Sequence, residues 1–470
     1  MKYFIPLVLA VTAWTTSPLS AATPGGESEL AARLQQLEAE TQALRAELQQ
    51  MREEPVALPQ VSATPVSYAP GAKNNGDVDY YTFSELSGMM QSTAKKYAWT
   101  KGDFTIVPYG FLWGNMVYES GRTYSPGRSY VLWVMPGNQQ GDDKVFLADG
   151  KNTRFGIDVG GPRLPLFCCA KTGGKIEFDF QGDFANTENK GGVLLRHAYV
   201  EAKNSDYRLL IGQTWDIISP LYPTTCLYSV YWDLGNIGYR RPQLRYERYL
   251  AFSNTTLLTL QGSLNANILS DFNGHADIIR EPGGWPTIEG RAALTLGHRG
   301  KGCKPTVVGV SAHIGEVGFD YFNGGALVDD DVRRRTWSFN TDLDMPITSR
   351  FGVRGELFCG EALGTYLGGI GQSINPNTLE PIRSQGGWVE LYYYWTYRLH
   401  SHFAYGVDDP FDQDIPANGR LYNQFYYANI MFDATKQFQL GFEVGQLKTL
   451  YNGLDEGNST RLEFMARYAF

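Results

Sequence analysis

Charged side chains recur at every second position in several segments of this sequence, a spacing that puts them on one face of a β-strand. Arg241, Arg245 and Glu247 follow this spacing, and so do Glu177 and Asp179. Charges gathered around a water-filled passage steer and select ions. The candidate residues for this role are Glu177, Asp179, Asp183, Asp216, Asp233, Arg240, Arg241, Arg245, Arg291 and Arg354.

Patterns for covalent, metal or nucleotide chemistry are missing from the sequence. Of the six histidines, only His400 and His402 share one strand face, and no cysteine or carboxylate stands beside them at ligand spacing. GxSxG, HExxH and Walker A patterns do not occur. A formal net charge of -8 argues against a basic nucleic-acid footprint. We therefore predict no enzyme, no metal, no cofactor and no nucleic-acid partner.

The five cysteines leave at least one thiol without a disulfide partner inside the chain. In the topology predicted below, Cys303 lies on the same side of the membrane as the vicinal pair Cys168 and Cys169, whereas Cys226 and Cys359 lie on the other side. Candidate disulfides therefore join Cys303 to one of the vicinal pair and Cys226 to Cys359. Five separate thiols are the alternative.

The final segment is the clearest predicted strand. Leu462, Phe464 and Tyr468 alternate there with Arg461 and Glu463, so one face suits lipid and the other water. About sixteen segments have a comparable pattern. They are 104–118, 153–160, 174–185, 193–203, 206–213, 241–250, 255–264, 288–298, 305–318, 334–345, 350–359, 387–397, 400–408, 422–432, 437–448 and 459–470.

The connections between these segments favour a membrane barrel over a soluble sandwich. Tight connections, such as 204–205, 345–349 and 433–436, alternate with the long connections 214–240, 265–287 and 360–386. Short periplasmic turns and long outer loops are typical of outer-membrane barrels. We predict an all-β transmembrane barrel of about sixteen antiparallel strands over 103–470, with the aromatic 214–240 segment as a loop that narrows it.

Three segments precede the predicted barrel. Residues 1–22 have one early lysine, an apolar run and small residues, as in a cleaved secretory signal. Residues 23–54 form a predicted coiled-coil segment, and 55–102 a proline-rich linker with a short helix. The heptad seam consists of Leu30, Leu34, Leu37, Leu44, Leu48 and Met51. This seam favours oligomerisation, although a single amphipathic helix remains an alternative and the heptads alone do not fix the number of chains.

Several motifs resemble the DcaP-like trimeric porins of Gram-negative outer membranes, and the resemblance extends from Ser28 to Phe470. The motifs are TRFGIDVGG (153–161), KIEFDFQGDF (175–184), LLRHAYVEA (194–202), LLIGQTWDII (209–218) and RRPQLRYER (240–248). RHAY and GQTW are the most specific pieces. The resemblance implies a homotrimer of sixteen-stranded barrels, each with a loop folded into its pore, that favours small anionic solutes.

The sequence thus predicts an outer-membrane porin for passive diffusion of small polar solutes, in contact with outer-membrane lipid. Acids on one side of the pore and arginines on the other would create a transverse field, and the arginines favour a mild preference for anions. A structural protein is the alternative function. In that case the periplasmic coiled coil would contact the cell wall and tether the membrane to it.

Overall fold

The structure is a computed structural model that describes residues 98–124, 133–165, 169–182, 190–268, 277–299 and 303–470, together with Ala39. The predicted signal, the coiled-coil seam and the 55–76 part of the linker lie outside the described residues, as do Cys168 and Asp183. Among the described residues, no helix has the length and apolar character needed to cross a membrane.

The described residues form one sheet of nineteen strands. The strands are β1 (Trp99–Lys101), β2 (Phe104–Glu119), β3 (Val145–Asp149), β4 (Arg154–Leu164), β5 (Ala170–Asp179), β6 (Leu194–Lys203), β7 (Tyr207–Trp215), β8 (Arg240–Ala251), β9 (Thr256–Asn265), β10 (Ile278–Glu281), β11 (Thr287–Leu296), β12 (Thr306–Asn323), β13 (Ala326–Pro346), β14 (Phe351–Glu361), β15 (Arg383–Tyr394), β16 (Leu399–Pro410), β17 (Arg420–Asp433), β18 (Phe438–Tyr451) and β19 (Gly457–Ala469).

The sheet closes into an antiparallel barrel of sixteen strands. Closure is made by β19, which pairs with β2 from Arg461 opposite Glu119 to Ala469 opposite Phe111. Two pairs of short strands each act as one wall strand: β3 and β4 both pair with β2, and β10 and β11 both pair with β12. The short β1 pairs only with the beginning of β2. The predicted sixteen-stranded barrel is therefore confirmed.

Side chains alternate across the wall in the sense expected of a membrane barrel. Along β19, Arg461, Glu463 and Met465 are buried, whereas Leu462 and Phe464 are exposed. The apolar side chains thus face outward and the charged ones face the interior. In a soluble protein the hydrophobic effect would favour the reverse arrangement.

Five turns of three or four residues lie at one end of the barrel, and the long loops lie at the other. The described short turns are 204–206, 252–255, 347–350, 395–398 and 434–437, whereas 216–239 and 362–382 are long loops at the opposite end. The connection between the predicted segments 305–318 and 334–345 is much shorter than their bounds imply. Strands β12 and β13 extend far beyond their predicted ends and meet at Gly324 and Gly325, whose φ angles of 58° and 85° suit a two-residue hairpin turn. The charged run 329–335 therefore lies in a strand.

The cysteines that the structure describes are free thiols, so the proposed pairing of Cys226 with Cys359 is wrong. Cys226 is buried inside the barrel, next to Met431 and Met465, whereas Cys359 is exposed on the outward face of β14. The wall of the barrel separates the two sulfur atoms. Cys303 is also exposed and free, as is Cys169.

Candidate functional site: a loop held inside the barrel

The 216–239 loop between β7 and β8 lies inside the barrel, where most of its residues are buried. Four glutamates from four wall strands accept its backbone N–H groups. Glu289 on β11 accepts from Ile217 at 3.0 Å, and Glu356 on β14 accepts from Leu221 at 2.6 Å. Glu390 on β15 accepts from Thr224, and Glu443 on β18 accepts from Cys226 at 3.0 Å. The loop therefore follows the inner wall from β11 to β18.

Physical chemistry explains why the loop uses glutamates for this attachment. An irregular backbone that is buried away from water must find partners for its N–H groups, and side chains of the inner wall supply four of them here. A carboxylate accepts hydrogen bonds more strongly than a neutral oxygen. Glu443 also accepts hydrogen bonds from the hydroxyls of Thr225, at 2.6 Å, and Tyr231, at 2.8 Å.

An apolar cluster holds the middle of the loop. Leu227, Tyr231 and Leu234 pack against inward side chains of the wall, and the ring of Tyr231 stacks on Phe425 with centroids 3.9 Å apart. The backbone here departs from ordinary geometry. Val230 has a φ of 46°, which is unfavourable for a β-branched residue. Such strain persists only where the surrounding contacts hold it, and it is common at functional sites.

A second loop, 362–382, also enters the barrel and packs on the first. Asp233 donates its backbone N–H to the carbonyl of Leu367 at 2.9 Å, and Gly238 donates to the carbonyl of Tyr366 at 2.7 Å. Leu363, Tyr366, Leu367 and Ile370 have no exposed surface. The sequence analysis treated this segment only as a long outer loop. Its small and apolar composition, ALGTYLGGIG over 362–371, was the available signal.

The three predicted arginines at the start of β8 lie next to the two loops. The Arg240 guanidinium stacks over Trp215, 4.4 Å from the ring centroid. Arg241 pairs with Asp216 at 3.0 Å and donates to the carbonyl of Thr365 at 2.9 Å. The third arginine, Arg245, donates to Gln243 at 2.7 Å and to the carbonyl of Trp215, and it pairs with Glu247 at 3.4 Å. These arginines brace the place where the loop leaves and rejoins the wall.

The other predicted arginines are paired across neighbouring strands. Arg291 on β11 makes a two-pronged contact with Asp342 on β13, with N–O distances of 2.9 and 2.6 Å. Arg354 on β14 lies 3.4 Å from Glu390 on β15. Both therefore project into the barrel interior.

The predicted acids Glu177 and Asp179 do not stand as unpaired charges on the inner wall. Instead, both pair with Arg196 on the adjacent strand β6, at 2.8 and 2.7 Å. These two acids are therefore largely neutralised by a neighbouring arginine, and the transverse field stays a prediction. Opposite charges on neighbouring strands pair locally, because contact in a buried site favours neutralisation. Asp233 lies in the loop and is buried, with its backbone carbonyl accepting from Asn423 at 2.7 Å.

The sequence analysis missed Glu390 and Glu443 as residues that hold the loop. Both occupy inward positions of strands that it had recognised, VELYYYW over 389–395 and GFEVGQL over 441–447. A glutamate within such aromatic alternation was the available signal. Nothing in the sequence indicated which loop residue each carboxylate would meet.

The fold can be compared with solved structures. It is similar to the outer membrane channel DcaP of Acinetobacter baumannii, with a TM-score of 0.60 and 20% sequence identity over 79% of this chain and 99% of that chain. A loop-deletion mutant of Vibrio cholerae OmpT covers 78% of this chain and 100% of its own, at 11% identity and a TM-score of 0.49. The anion-selective porin of Comamonas acidovorans has the same coverage, at 12% identity and a TM-score of 0.47.

With these TM-scores, only the comparison with DcaP bears on the fold. No protein-family model matches the chain, and no curated protein matches it. The chain has the fold of an outer-membrane channel, in agreement with the resemblance to the DcaP-like porins.

Proposed function

We propose that this protein is an outer-membrane porin, through which small polar solutes diffuse passively. The observation that carries this proposal is the 216–239 loop inside a closed barrel, attached to the wall by Glu289, Glu356, Glu390 and Glu443. A barrel of this strand number encloses a wide water-filled lumen unless something narrows it. The attached loop narrows the lumen, so it sets which solutes pass.

A mild anion preference is the finer part of the proposal. Arg240 and Arg241 sit where the loop leaves the wall, and Arg245 follows on the same strand. Arginines near a constriction favour anions because they raise the local positive potential. We further propose that the protein forms homotrimers in the outer membrane and that the segment before the barrel is periplasmic.

Single-channel recording in planar bilayers tests the proposal. The purified, folded protein should give stepwise currents that close in three equal levels, as expected of a trimer. A KCl gradient should give a reversal potential of the sign that indicates a chloride preference. A well-folded protein that never conducts would contradict the porin function, and a potassium preference would contradict the anion preference alone.

The contribution of the arginines needs its own variant and a control. Arg240→Gln should lower the chloride preference, because it removes a charge at the entry of the loop and keeps a polar side chain. Arg335→Gln is the matched control. Arg335 lies on the outer part of β13 and pairs with Glu361 on β14. Its side chain is 63% exposed. Equal reversal potentials in the two variants would contradict a role for Arg240.

A further inference from the structure

Two histidines lie on the inner face of the barrel beneath the loop; they are hydrogen-bonded to each other and to Glu390, and a second acid lies close by. His400 Nδ1 is 2.8 Å from His402 Nε2, and His402 Nδ1 is 2.9 Å from Glu390 Oε1. At the other end, His400 Nε2 lies 3.6 Å from Asp433 Oδ2. Both imidazoles are buried, with about 5% or less of each side chain exposed.

This pair of histidines reaches the loop through Glu390. The second carboxylate oxygen of Glu390 accepts from the backbone N–H of Thr224, and from the hydroxyl of Tyr427 at 3.0 Å. Glu390 therefore joins the histidine pair to the part of the loop that crosses β15. A change of charge on the histidines acts directly on the wall of the narrowed passage.

The hydrogen-bond geometry limits how many protons the pair holds. A carboxylate only accepts, so His402 Nδ1 carries a hydrogen. The bond between the two rings contains one hydrogen, hence one ring nitrogen donates and the other accepts. If both rings were cationic, two N–H groups would face each other at 2.8 Å, and that contact would be repulsive. Double protonation therefore separates the rings and adds a second positive charge to the wall.

The other charged groups around the pair do not cancel this change. Arg354 on β14 lies 3.4 Å from Glu390, and the Lys304 amine lies 4.1 Å from the centroid of Tyr394, which itself stacks on His400. Arg467 on β19 is linked to Asp433 through Gln439, which accepts from Arg467 and donates to Asp433 at 2.7 Å. Tyr392 also contacts His402.

Two carboxylates and three fixed cations therefore surround the histidines. On β17, Asn429 accepts from the backbone N–H of His402, and on β18, Gln439 donates to Asp433. These two neighbours are neutral and do not offset a charge on the imidazoles. Charge that acidification adds to the pair thus makes this part of the wall more positive.

We propose that His400 and His402 make the ion selectivity of the channel depend on pH, so that its preference for anions increases on acidification from pH 7.5 to pH 5.5. Histidine is the side chain whose ordinary charge change lies between about pH 5 and 8. The proposal rests on the porin function and adds pH control to it. The two histidines act on permeating ions through their charge and on the loop through Glu390.

The experiment measures reversal potentials in a KCl gradient at pH 7.5 and pH 5.5. The wild-type protein should increase its chloride-over-potassium permeability ratio by about twofold to tenfold on acidification, since one or two charges are added near the passage at an intermediate dielectric constant. The double variant His400→Asn, His402→Gln should lose most of this increase. An unchanged pH response in a folded, conducting double variant would overturn the proposal.

His313→Gln is the matched control, because His313 is also buried on the inner wall but bonds to the hydroxyls of Ser338 and Thr336. It should keep the wild-type response, and loss of the response in this variant would also overturn the proposal. If the double variant does not fold, His400→Gln replaces it, because this variant leaves the contact between Glu390 and His402 in place. His400→Gln should lose about half of the pH response. A full wild-type pH response in His400→Gln would refute the proposal. Absence of any conductance in the wild-type protein would instead refute the porin function.

Discussion

Glu443 on β18 and Cys226 in the inserted loop are 217 residues apart in the chain, yet the carboxylate of Glu443 accepts the backbone N–H of Cys226 at 3.0 Å. The same carboxylate accepts from Thr225, Tyr231 and Asn429. A single wall residue thus holds the tip of the loop. This residue lies on the side of the barrel far from β7, where the loop starts. This contact is the basis of the first prediction.

Glu443→Ala should release the tip of the loop and raise both the single-channel conductance and the current noise. Four donors would lose their acceptor, which costs about 1–3 kcal/mol for each buried group left unsatisfied, and relaxation of the loop would recover part of this cost. Glu443→Gln should have a smaller effect, because the amide oxygen still accepts. Glu456→Ala is the control, since Glu456 is an exposed loop residue that pairs with Lys448. Conductance equal to wild type in Glu443→Ala would contradict the attachment.

Arg291→Ala should destabilise the barrel by about 3–5 kcal/mol, because it leaves Asp342 as a buried charge without its partner. The measurement is the urea midpoint of unfolding in detergent or lipid, followed by intrinsic tryptophan fluorescence. Arg335→Ala provides the comparison, since its pair with Glu361 is largely exposed on the arginine side and should contribute little. Similar midpoints for the two variants would show that burial of the Arg291 pair has no energetic consequence.

Gly235→Ala should displace the inserted loop. Gly235 has a φ of 117°, and a Cβ atom there would lie 2.3 Å from the carbonyl oxygen of Gly387. We expect a lower unfolding midpoint and an altered conductance. Gly290→Ala is the control, because a Cβ atom at Gly290 has no heavy atom within 4 Å. If Gly235→Ala conducts and unfolds like wild type, the close approach of the loop to β15 is wrong.

Thiol labelling should separate the cysteines by position. In the folded protein, a maleimide should react with the exposed Cys169 and Cys303, whereas Cys226 should react only after unfolding. Labelling with and without prior reduction should give equal mass shifts for the peptides of Cys226, Cys303 and Cys359. A peptide that links any two of these residues would contradict the free thiols.

Much of the barrel was predictable because the pattern that indicates each strand is local to that strand. Alternation with a period of two, as in Leu462, Phe464 and Arg461, depends only on the sequence of one strand and on lipid outside and water inside. All sixteen predicted segments overlap a wall strand. The extensions of β12 and β13 around Gly324 were missed, because above the membrane neither face of a hairpin needs to be apolar and the alternation fades.

The sequence by itself determined the closed antiparallel barrel and the alternation of inward and outward faces along its strands. Only the tertiary structure decided the partners of the inward charges and the path of the two loops. Glu177 and Asp179 pair with Arg196 on the adjacent strand, and Glu390 and Glu443 hold a loop that lies far from them in the chain. Alternation sets the side of a strand to which a residue points, but the residue that it meets there depends on closure of the barrel and on burial of the loop, which bring together groups separated by hundreds of residues.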